Sequence, residues 1–136
     1  MDSDEGFPAA VQREFAFLIT EHGFRLTSDE DRRVRFESST VGVTATFDPR
    51  GEIEVRVAQL GRERGFGTLS LDAMVGRASM SRVVELLAER LCQHDDALRG
   101  ETAYFEKLAD QQRVESEAWT AYYAGQGPPP STGRLP

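Results

Sequence analysis

The hydropathy pattern of this chain predicts an α+β fold: an N-terminal helix, a four- to five-stranded antiparallel sheet, then two C-terminal helices packed on one sheet face. Three observations carry the prediction. Apolar residues recur at helical spacing from Phe7 to Leu18 and change to alternation between Phe24 and about Ser70. From Met80 onward they return to helical spacing. Alternation means one covered face and one wet face, the signature of an antiparallel sheet.

The first helix has Pro8 in its first turn, where a missing N–H costs nothing. Phe7, Val11, Phe15 and Leu18 form its stripe, and Gly23 supplies the stop. His22 falls in the last turn, where an imidazolium interacts favourably with the helix dipole. Four alternating runs follow. Phe24 and Leu26 flank Arg25, and Val34 and Phe36 alternate with Arg33, Arg35 and Glu37. Val41, Val43, Ala45 and Phe47 alternate with Gly42, Thr44 and Thr46, and Ile53, Val55 and Val57 alternate with Glu52, Glu54 and Arg56.

Asp48-Pro49-Arg50-Gly51 has the residue order of a type I turn and predicts a hairpin. Ser28-Asp29-Glu30-Asp31 reads as a second polar turn. Gly61 to Gly67 is glycine-rich, but no Lys-Ser/Thr pair follows it, so it reads as an arginine-rich turn and not a phosphate loop. The segment from Phe66 to Ser70 is too short to decide whether a fifth strand exists. Ser70 reads as the N-cap of a short helical turn, Leu71 to Val75, closed by Gly76.

A longer helix is expected from about Ser81 to Leu98, with Met80, Val84, Leu87, Leu91 and Leu98 as its stripe. A last helix runs from about Glu101 to Ala124, with Phe105, Leu108, Trp119 and Tyr122 on one face. The expected organisation is a flexible N-terminus over residues 1–6, one domain over 7–124, and a disordered Gly/Pro-rich tail over 125–136.

Composition excludes several classes. Cys92 is the only cysteine, so neither a disulfide framework nor a Cys-rich metal site is available. His22 and His94 are the only histidines. A net charge of −7 without a basic block makes nucleic acid an unlikely partner. No secretory signal or membrane-length apolar run is present, so a cytoplasmic location is expected. Every basic residue but Lys107 is an arginine, a bias that fits a GC-rich bacterial genome.

No catalytic set emerges. Cys92, read as a buried helix-stripe residue, and His94 lie about 200° apart around a helix and cannot face one another. His94, Asp95 and Asp96 are consecutive and point in different directions, so no metal site and no cofactor is expected, and Asp95 is a natural partner for Arg99. Glu52 and Glu54 share the wet sheet face with Arg33, Arg35 and Arg56, which predicts cross-strand Arg–Glu pairs; a positively lined groove is the alternative.

Two surfaces are candidates for a partner: the mixed Arg/Glu/Thr sheet face, and the late helices. There Asp95, Asp96, Glu101, Glu106, Asp110, Glu115 and Glu117 oppose only Arg99, Lys107 and Arg113. Trp119 and Tyr122 read as core contacts, whereas Tyr123 lies off their stripe. The partner-binding residues expected are Asp95, Asp96, Glu101, Trp119 and Tyr123.

The run Val11-Gln12-Arg13-Glu14-Phe15-Ala16-Phe17-Leu18, the Gly23-Phe24 stop, the alternating strands and Leu98-Arg99-Gly100-Glu101 with Phe105 resemble small bacterial proteins, some of them like immunity proteins that neutralise toxins. The resemblance spans most of residues 7–117 and implies a non-enzymatic binding role. The expected function is thus a protein-interaction module for a basic partner, bound through acidic helices. The alternatives are a small-molecule binder or enzyme with a pocket between sheet and helices, and self-association through the last helix.

Overall fold

The computed structural model describes residues 6–62 and 67–127. The chain runs α1 (Phe7–Glu14), α2 (Ala16–His22), β1 (Arg25–Glu30), β2 (Arg33–Glu37), β3 (Val41–Phe47), β4 (Glu52–Gln59), β5 (Leu69–Met74), α3 (Met80–Cys92), α4 (Asp95–Leu98) and α5 (Thr102–Tyr123). The fold is α+β. The strands form one antiparallel meander in the order β1-β2-β3-β4-β5.

Four local expectations change. The first helix is two, because Phe15 leaves helical geometry (φ −98°, ψ 12°) and the Leu18 N–H bonds only three residues back to the Phe15 carbonyl. Gly23 then adopts φ +72°, and the Phe24 N–H reaches back to the Leu18 carbonyl at 2.9 Å, which ends α2. Ser28 to Glu30 belong to β1, not to a turn, and the chain reverses at Asp31-Arg32.

The segment read as a helical turn after Ser70 is β5. Leu69, Leu71 and Ala73 alternate with Ser70, Asp72 and Met74, and β4 lies alongside to pair with them, Val55 opposite Leu71 and Glu54 opposite Asp72. The helix expected to reach Leu98 stops at Cys92. Its first turn is capped by the Ser79 hydroxyl, which accepts from the Arg82 N–H. His94 (φ −111°, ψ 50°) breaks the path before α4, which buries the adjacent Ala97 and Leu98.

One sheet face carries the core: Val34 and Phe36 from β2, Val41, Val43 and Ala45 from β3, and Ile53, Val55 and Val57 from β4. α1 and α2 lie against β2 and β1, α3 packs on β4, β5 and α1, and α4 meets β4. Phe15 stacks nearly parallel to Phe36 with ring centroids 6.3 Å apart. The Asp48–Gly51 hairpin forms as expected. Gly51 takes φ +93°, and the Asp48 carboxylate accepts from the Arg50 and Glu52 amides at 2.9 and 3.0 Å. Among the described residues no helix is long and apolar enough to cross a membrane.

Candidate functional site

The residues expected to meet a partner fall into two separate groups. Asp95, Asp96 and Glu101 sit at the α4–α5 junction and converge on one side chain. The Arg99 guanidinium bonds to Asp95, to Asp96 at 2.6 Å and to Glu101 at 2.6 Å. Glu101, followed by the charges of Asp95 and Asp96, raises the Arg99 pKa further above its already high value. The expected Asp95–Arg99 pair is therefore one arm of a three-carboxylate cluster, and part of the acidic charge is already answered from within the chain.

The second group is the C-terminal end of α5. Of this helix, Phe105 alone is buried; further along, the Gln112 side chain holds residues 67–68, accepting from the Gly67 N–H at 2.7 Å and donating to the Thr68 carbonyl at 3.0 Å. Trp119 and Tyr122 are not core residues, contrary to the sequence reading. Trp119 stacks on Tyr123 at 5.5 Å, and Tyr122 meets both rings edge-on at 5.7 and 5.4 Å. Tyr123 is 78% exposed and Tyr122 40% exposed. The indole N–H of Trp119 is shielded from solvent without a hydrogen-bond partner.

Cys92 is exposed in the last position of α3 and not buried, whereas Leu87, Ala88 and Leu91 of the same helix are buried. Partial burial and the charges of Glu21 and Glu89 push its thiol pKa up, away from thiolate reactivity. His94 lies 3.4 Å from the Tyr104 hydroxyl through Nδ1, and His22 is 3.9 Å from Asp95. No three potential metal ligands among the described residues are grouped to hold an ion.

The sheet face opposite the core is polar. Across β2, β3, β4 and β5 the register aligns Arg33, Thr46, Glu54 and Asp72 in one row and Arg35, Thr44, Arg56 and Ser70 in the next. The carboxylates are not used as the alternation predicted. Arg35 pairs along its own strand with Glu37 at 2.7 Å and donates to the Thr44 hydroxyl at 2.8 Å. Glu54 accepts from Ser70 at 2.8 Å. Asp72 raises the pKa of Glu52 through a side-chain hydrogen bond and like charge. A groove of about 240 Å³ lies over this face, lined by Arg33, Arg35, Thr44, Glu54, Arg56 and Thr68 among others. The sequence pointed to the arginines of this face by alternation; Thr68 and Gln112 gave no signal, since their pairing spans 44 residues.

No family model, curated protein or solved structure matches this chain.

Proposed function

We propose that this chain is a non-enzymatic binding module, immunity-like in kind, that engages a basic protein through the C-terminal end of α5. The aromatic cluster carries the reading: Trp119, Tyr122 and Tyr123 pack on one another, and Tyr123 stays 78% exposed. Rings of this size concentrate binding energy when a partner covers them. From Val114 to Tyr123 the helix carries Glu115 and Glu117 and no basic residue. Acidic and aromatic side chains together favour arginine and lysine, by charge and by cation–π contact. The Arg99 cluster contributes residual negative charge at the opposite end of α5, and its role is long-range attraction at low salt.

The test uses the purified chain as bait in lysate of its source organism at low and high salt. It is run beside a Trp119→Ala/Tyr123→Ala variant and an Asp95→Lys/Asp96→Lys/Glu101→Lys variant. The expected result is one stoichiometric basic protein, released at high salt and lost from the aromatic variant while circular dichroism is unchanged. Equal retention by the aromatic variant overturns the assignment to α5. Undiminished retention by the charge-reversed variant removes Asp95, Asp96 and Glu101 from the contact.

A further inference from the structure

The groove on the polar sheet face points to a second, opposite specificity, and we propose that it binds a small anion carrying a phosphate or a pair of carboxylates. The chain as a whole is acidic, with a net charge of −7, yet three guanidiniums, from Arg33, Arg35 and Arg56, line a single depression of about 240 Å³. Of the carboxylates nearby, Glu37 holds Arg35, and Glu54, which itself lines the groove, accepts from Ser70. Neither Arg33 nor Arg56 pairs with a carboxylate of a described residue, so both have unused donors at an exposed but localised site. Guanidinium forks match oxyanions in geometry as well as charge.

Two further features are built into the floor. Gly42 lies beneath Arg35, and a Cβ there would come within 2.5 Å of the Arg35 Nη2; the missing side chain lets the guanidinium lie flat across β3. Thr68 is 8% exposed, lines the groove, and its hydroxyl has no hydrogen-bond partner. A buried hydroxyl without a partner is costly unless something fills the site. Gln112 fixes the backbone on both sides of the Gly67–Thr68 peptide bond, which positions the Thr68 residue at the groove. An oxyanion in the groove would take hydrogen bonds from the arginines and from Thr68 together.

The test is calorimetric titration of the full chain at low salt with inorganic phosphate and, separately, with malonate. Saturable one-site binding is expected, weakening with salt. It should fall by about tenfold or more in an Arg33→Gln/Arg56→Gln variant whose circular dichroism is unchanged. Thr68→Val should also weaken it and Thr68→Ser should restore it, which a purely structural role for Thr68 would not produce. Tighter phosphate binding marks a phosphoryl ligand, and tighter malonate binding a dicarboxylate. No saturable heat with either probe, or equal affinity in the double arginine variant, overturns the proposal.

Discussion

Asp48 closes the β3–β4 hairpin with one side chain. Its carboxylate accepts the Glu52 and Arg50 backbone amides and faces the Arg50 guanidinium at 3.2 Å. The Glu52 amide is the largest cause that holds its pKa below the ordinary 3.8, and the Arg50 contacts act in the same direction. The unfolded chain therefore binds this proton more readily than the folded one. The stabilisation is complete above the ordinary carboxylate value and is lost as the pH falls through the lower folded value. Asp48→Ala should lower the denaturation midpoint at neutral pH, and the gap from the wild type should narrow on acidification through that window. Urea melts of both proteins across the pH range check it; a gap independent of pH would place the contribution in turn geometry alone.

α5 shows why an element can be legible while its packing is not. Its 22 residues span about 33 Å, yet Phe105 alone is buried. Phe105 is 3% exposed and anchors the helix beside Tyr104, so Phe105→Ala should cost about 3–5 kcal/mol. Trp119→Ala should cost less than about 1 kcal/mol, because its ring meets Tyr122 and Tyr123 and no buried residue of the core cluster. Chemical denaturation of the two variants separates these outcomes, and equal losses would make the aromatic end part of the core and not a docking surface. Helical periodicity identified α5, but a stripe of Phe105, Leu108, Trp119 and Tyr122 reads the same whether a sheet or solvent faces it. β5 departs from the local reading for a related reason: Leu71 to Val75 fits a capped helical turn by itself, and only pairing with β4 across the intervening connection selects the extended form. The hairpin at Asp48–Gly51 was legible because its turn chemistry is wholly local.

For the molecule as a whole, the two sheet edges decide whether it associates with itself. β1 presents Asp29 and Glu30 on an exposed strand irregular between Leu26 and Ser28, and bulged, charged edges resist pairing. At the other edge the Arg90 side chain, reaching from α3, donates to the Asp72 carbonyl at 3.4 Å, and Asp72 itself places a charge on the strand. Both edges therefore carry charge, and among the described residues α5 holds the exposed aromatics Tyr122 and Tyr123. Light scattering at high concentration should give the monomer mass of 15.1 kDa. A doubled mass that persists in Trp119→Ala/Tyr123→Ala would mean that the edges pair in spite of these features. A doubled mass abolished by that variant would mean that a second copy of the chain covers the aromatic end of α5. The occupant of that site would then be the chain itself and not a basic protein, whereas the anion groove would keep its arginines, which lie on β2 and β4.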